Sequence, residues 1–184
     1  SCKMINPAPI TSDLSSIRQT PPTIIIIFGA SGDLTARKLA PAIFNLSKDD
    51  LLPKRCFLIG YGRSVISDDD FKDEIKKALD LHSRRKIETP EWEALEKNLY
   101  FHAGAYDDIS RFEVLEEKIS QIEEQIDCKA QCLFYISTPP GVFMPILENI
   151  GESGLDKRHK RTETAYKVMI EQPIGRNLHV GNKL

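Results

Sequence analysis

Gly29, Ala30, Ser31 and Gly32 stand where an apolar run ends and a helix-forming run begins, a placement that suits them to hold a phosphate. Glycines allow a sharp backbone turn and a close approach to a ligand with no Cβ in the way. A helix opening at Asp33 and Leu34 would aim unpaired N–H groups and a positive dipole end at the same point. An anion is the expected guest. Two residues separate Gly29 from Gly32 and no third glycine follows, so the spacing departs from the G-x-G-x-x-G of the common dinucleotide fingerprint. The same turn also serves where a strand meets a helix with no ligand bound.

Two arginines extend this chemistry. Arg37 lies one helical turn beyond the glycines, and Arg63 sits in Tyr61-Gly62-Arg63-Ser64, where a second strand would deliver its loop to the same sheet edge. In an NAD site an acidic residue at that second position grips the adenosine ribose and repels a 2′-phosphate; here the turn holds no acid. A guanidinium instead offers two parallel hydrogen bonds to a phosphate. The pair points to NADP over NAD, against the plainer reading of Arg37 and Arg63 as solvated charges. Farther along, Thr138 and Pro139 open Thr138-Pro139-Pro140-Gly141, a rigid turn that could present backbone groups to a dinucleotide or simply join a strand to a helix.

Other residue groups suggest no further chemistry. Asp68-Asp69-Asp70 resembles a metal site, but adjacent carboxylates in a first helical turn point in different directions, and Ser67 before them makes helix capping the better reading. No metal is expected. Cys2, Cys56, Cys128 and Cys132 form no C-x-x-C pair and have no histidines at zinc-ligand spacing; Cys56 and Cys132, each in an expected buried strand, read as reduced core thiols, which suggests a cytoplasmic setting. The formal charge of -2 argues against nucleic-acid or anionic-membrane partners, and no apolar run reaches membrane-spanning length.

The elements that must position these residues follow from periodicity. With 184 residues, one domain is the default. Residues 1–22, with Pro7, Pro9, Pro21 and Pro22, are expected to be a flexible lead-in, and residues 23–184 a single nucleotide-binding domain. Ile24–Ile27 with Phe28 form a β-branched run expected to be a strand buried on both faces. A helix should follow, interrupted by Pro41, and then a strand at Arg55–Gly60. Ser67 caps a helix with a Phe71, Ile75, Leu79 stripe; Pro90–Asn98 is a short helix; Leu99–Ala103 is a strand. Ser110-Arg111-Phe112-Glu113 reads as a capping box ahead of a crossover helix, whose Phe112, Leu115, Ile119, Ile122 and Ile126 recur at helical spacing. Two heptads favour packing on the sheet over a coiled coil. Gln131–Ser137 and Tyr166–Ile170 are further strands, with a helix at Val142–Ile150 between them. This alternation describes an α/β fold of Rossmann type, a doubly wound parallel sheet in three layers.

Read in order, GASGDLTARKLAP, IGYGRS, FYISTPPGVF and VMIEQPIGRNL resemble the N-terminal coenzyme domain of the glucose-6-phosphate dehydrogenase family, from about Thr23 to the chain end. The resemblance implies oxidation of glucose 6-phosphate to 6-phosphogluconolactone with NADP as hydride acceptor, the first step of the oxidative pentose phosphate pathway. It implies that Gly29 to Leu34 hold the pyrophosphate and that Arg37 and Arg63 read the 2′-phosphate. It also implies cofactor contacts at Thr138, Pro139 and Gln172, and homo-oligomers of a full-length form.

Two departures qualify it. The family's E-K-P-F-G block places a lysine between substrate and nicotinamide; here Gln172 stands in that position and Ile174 replaces the phenylalanine. Glutamine donates hydrogen bonds but carries no charge, so weaker transition-state stabilisation is expected. The family's histidine-bearing substrate motif and its paired acid follow this block in a second domain, and none of His82, His102, His159 and His179 matches that motif. All four are read as structural or surface groups. No catalytic residue is assigned in this chain, and the isolated chain is expected to dock NADP without turning over substrate. A non-catalytic truncated homologue that binds NADP or pairs with another subunit is the rival reading. A related oxidoreductase group acting on sugars or inositols is disfavoured by Asp33-Leu34 and by Tyr61 to Ser64.

Overall fold

A computed structural model describes residues 3–5, 22–29, 56–82, 86, 88–157 and 166–170. Ala30 to Leu34, Arg37, the Pro41 helix and Gln172 lie outside the described residues. Six strands make one sheet: β1 (Lys3–Ile5), β2 (Thr23–Phe28), β3 (Cys56–Gly62), β4 (Leu99–Ala103), β5 (Gln131–Ile136) and β6 (Tyr166–Ile170). All neighbours pair parallel, in the order β1-β6-β5-β2-β3-β4. Counted from β2, this is the 3-2-1-4-5 sequence of a doubly wound sheet, with the N-terminal strand in sixth place.

β2 is central because its sequence tolerates burial everywhere. Every residue from Thr23 to Phe28 is buried, and alternate isoleucines serve opposite faces. Ile24, Ile26 and Phe28 join one core with Phe112, Leu115 and Ile119, the inner stripe of the long helix α3 (Ile109–Ile126), and with Ile146 and Ile150 of α4 (Phe143–Glu152). Ile25 and Ile27 join the other core with Phe71, Ile75 and Leu79 of α1 (Asp68–His82) and Trp92 of α2 (Thr89–Glu96). Helices therefore cover both faces, and the expected three layers are present. Each buried Leu, Ile or Phe in these stripes contributes about 1.5–3 kcal/mol.

Local signals explain the helix starts. The Ser67 hydroxyl accepts from the Asp70 amide at 3.0 Å, as expected of a cap, while Asp68 Oδ1 accepts from the Phe101 amide at 2.7 Å. Ser67 thus caps the helix, and Asp68 binds the backbone of β4. At α3 the expected box is corrected: the cap is Asp108, two residues before Ser110. Its Oδ1 accepts from the Ser110 amide at 3.0 Å and from the Ser110 hydroxyl at 2.6 Å. An extended Asp108, with φ of -97° and ψ of 100°, lets Ile109 and Ser110 enter the helix as its first turn.

Two further boundaries shift. After β5 the double proline gives one short 3-10 turn, Pro140–Val142, before α4 begins at Phe143. Within residues 1–22, expected to be a flexible lead-in, Lys3–Ile5 forms a strand that pairs in register with Lys167, Val168 and Met169. Three residues are too few to show a period, yet their backbone groups satisfy the otherwise open edge of β6.

Candidate nucleotide-binding crevice

The sheet order reverses between β2 and β5, and in such sheets ligands bind in the crevice outside the carboxyl ends of those strands. Gly29 and Ser137 face each other there. The ladder runs one residue past each strand: the Gly29 amide donates to the Tyr61 carbonyl at 2.9 Å, and the Ser137 amide and hydroxyl donate to the Phe28 carbonyl at 3.0 and 3.1 Å. Gly29 has φ of +90°, and a Cβ there would lie 3.1 Å from the Ser137 carbonyl oxygen. A positive φ and a crowding neighbour both demand glycine at this position.

Thr138 follows directly. It is buried, and its Oγ1 has no hydrogen-bond partner among the described residues. An orphaned buried hydroxyl is costly unless a partner arrives, so a polar ligand at this mouth suits it. Pro139 adopts extended backbone, φ of -57° and ψ of 149°, ahead of the short 3-10 turn.

Arg63 forms the far flank. It is exposed just beyond β3, with its guanidinium carbon 5.9 Å from the centre of the Tyr106 ring. Tyr106 was not singled out from the sequence, because it lies in the β4–α3 connection with no motif around it. Only the fold brings it in: its ring stacks on Tyr61 with centroids 5.6 Å apart and meets Phe28 edge-on at 6.4 Å. Its carbonyl accepts from Asn149 Nδ2 of α4 at 2.9 Å. Burial raises the Tyr106 phenol above its usual range, while Arg63 and the Gly29 amide beside its oxygen pull the other way.

His102 belongs to the frame and not to the crevice. It is wholly buried, lies edge-on to Tyr61 at 4.9 Å between centroids, and has Nε2 2.7 Å from the Arg111 carbonyl. That acceptor requires Nε2 to carry the proton. A cavity of about 140 Å³ opens elsewhere, beside the β4 edge, with Asp68, Tyr100, Lys118 and Gln125 in its wall. Among the described residues no group of three or more His, Cys, Asp or Glu is arranged for a metal ion, and no helix is long and apolar enough to cross a membrane.

The described part of the crevice thus brings Gly29, Thr138, Pro139 and Arg63 to one sheet edge. Residues 26–184 match the family model described as glucose-6-phosphate dehydrogenase, NAD binding domain. A glucose-6-phosphate 1-dehydrogenase of Chlamydia pneumoniae is 34% identical over 172 residues, covering 93% of this chain and 34% of its own length. A mouse glucose-6-phosphate 1-dehydrogenase 2 is 33% identical, covering 88% of this chain and 29% of its own length. Among solved structures, a glucose-6-phosphate dehydrogenase in complex with its substrate glucose 6-phosphate superposes with a TM-score of 0.70 at 30% identity, over 83% of this chain and 31% of that one. The Mycobacterium avium enzyme gives 0.68 at 25% identity, over 84% and 31%. The chain spans about a third of the length of these relatives. It belongs to the glucose-6-phosphate dehydrogenase family, and the part of that family it represents is the dinucleotide-binding domain.

Proposed function

We propose that this chain is the coenzyme domain of an oxidoreductase that oxidises glucose 6-phosphate to 6-phosphogluconolactone, and that its dinucleotide is NADP. The bound coenzyme would supply the hydride-accepting nicotinamide; the chain's own residues bind and orient it. Gly29, together with Ala30 to Leu34, holds the pyrophosphate. The Thr138 hydroxyl and the turn at Pro139 meet the coenzyme from the β5 side, and Gln172 is a further coenzyme contact. Arg63, with Arg37, takes the 2′-phosphate.

The observation that carries this reading is the juxtaposition at one sheet edge of a positive-φ glycine, an unpartnered buried threonine hydroxyl and an exposed guanidinium. None of the residues assigned here is a general base, so binding and not turnover is the direct readout. Titration of NADP and NAD into the 184-residue chain should show preference for NADP, and Arg63→Ala should remove most of it. Equal affinity for the two coenzymes in the unaltered chain, or an unchanged preference in Arg63→Ala, refutes the NADP assignment. Absence of binding to either supports instead a subunit-pairing homologue with no coenzyme role.

A further inference from the structure

We propose that Tyr106 is a positioning residue for coenzyme selection: its ring holds the Arg63 guanidinium at the mouth of the crevice, where the charge meets a phosphate on the adenosine ribose. This rests on the NADP reading above and adds to it the part of the chain that decides where the discriminating charge sits.

The argument starts from what holds each partner. Arg63 lies on an exposed bend, and among the described residues no hydrogen bond or ion pair fixes its head group. A free arginine samples many rotamers, and fixing one of them on binding weakens the gain from the phosphate contact. Tyr106 is the opposite case, 8% exposed and immobilised from three directions. Tyr61 stacks behind it, Phe28 meets its edge, and the Asn149 amide ties down its backbone. A cation 5.9 Å from the centre of such a ring is within the range of quadrupole attraction. The phenol end of the same ring lies against the Gly29 amide, the first residue of the glycine turn. One rigid aromatic therefore touches both the pyrophosphate turn and the arginine that would read the extra phosphate, and it sets the spacing between them.

The test compares NADP and NAD affinities of the 184-residue chain carrying Tyr106→Phe, Tyr106→Leu, Arg63→Ala and the Arg63→Ala/Tyr106→Leu pair. Tyr106→Phe keeps the ring and should keep the preference. Tyr106→Leu should lower the NADP:NAD preference about two- to five-fold, the worth of an exposed cation–π contact, with NAD affinity unchanged and no further loss in the Arg63→Ala background. A merely structural role would instead weaken both coenzymes equally, and that result overturns the proposal. If Arg63→Ala removes the preference while Tyr106→Leu leaves it intact, the positioning role falls and the NADP reading stands. If Arg63→Ala has no effect, both fall. Should Tyr106→Leu not fold, the Arg63 Nε–H resonance of the unaltered chain decides: it should be shifted upfield by the ring and move with NADP but not NAD, and a random-coil position overturns the proposal.

Discussion

Lowering the pH should unlock this fold through His102. The ring is fully buried, its Nε2–H is committed to the Arg111 carbonyl, and its Nδ1 has no partner among the described residues. A proton on Nδ1 would place a charge in an apolar setting beside Tyr61 and near the cations Lys118 and Arg111. Burial chiefly, and then those cations, push its pKa down from 6.5 to about 4. The folded pKa lies below the unfolded one, so the contribution is fully present above 6.5 and is lost as the pH falls from there towards about 4. The fall amounts to ~1.4 kcal/mol per pH step, about 3 kcal/mol in all and ~2 kcal/mol between pH 7.5 and 5.0. Urea unfolding of the chain and of His102→Gln, which keeps a donor for the Arg111 carbonyl, should be compared at those two pH values. Carboxylates titrate in both proteins, so the difference in pH dependence isolates the imidazole. The variant should lose ~2 kcal/mol less than the parent. Equal losses, or an imidazole that titrates near 6.5 by NMR in the folded parent, would refute the reasoning.

Three other substitutions follow from the geometry. Gly29→Ala places a side chain at φ of +90° with its Cβ 3.1 Å from the Ser137 carbonyl oxygen, so chemical unfolding should show a loss of ~2 kcal/mol. Asp68→Ala frees the Phe101 amide on the outermost described strand, where Lys118 Nζ also donates to the Phe101 carbonyl at 3.4 Å. A loss of ~1 kcal/mol in urea, with more self-association by size-exclusion chromatography, is expected of an uncovered edge. Asp127→Asn keeps a residue that tolerates the left-handed cap at φ of 49° but removes a carboxylate from the negative end of α3. It should raise stability by ~0.5 kcal/mol at low salt, and the gain should shrink in 1 M salt as screening sets in.

What was legible in the sequence had a short-range cause. The buried strands announce themselves as apolar runs, β-branched at β2, and the α1 and α3 stripes by helical spacing; β4 and β6 have the expected bounds. The α3 start was misread because Asp108 and Ser110 are both good caps two residues apart, and only the extended backbone at Asp108 decides between them. β1 was missed because its reason to exist lies 164 residues away, at the Lys167 to Met169 edge it pairs with. Of the crevice, the glycine turn, the arginine and the Thr138-Pro139 turn stood out because each carries its chemistry in its own residue types. Tyr106 did not, since its value comes from neighbours at Phe28, Tyr61 and Asn149 that no local window contains.

Chain handedness explains why these pieces meet at one mouth. From β3 to β4 the chain passes through α1 and α2, which pack on the Ile25 and Ile27 face. It then returns across β2 to β5 by way of α3, and goes on to β6 by way of α4, and both of those helices pack on the Ile24 and Ile26 face. Right-handed crossovers leave no alternative: when the direction of travel along the sheet reverses, the connecting helices must change face. By the same rule the crevice of such a sheet lies outside the carboxyl ends of β2 and β5, where Gly29 and Ser137 stand. The connection from β4 into α3 passes beside that crevice, and its one large side chain, Tyr106, drops onto the aromatic step of Phe28 and Tyr61. The residue that supports Arg63 is thus delivered by the same reversal that opens the crevice. A substitution that loosens the Tyr61–Tyr106 stack should accordingly disturb coenzyme choice before it disturbs the sheet.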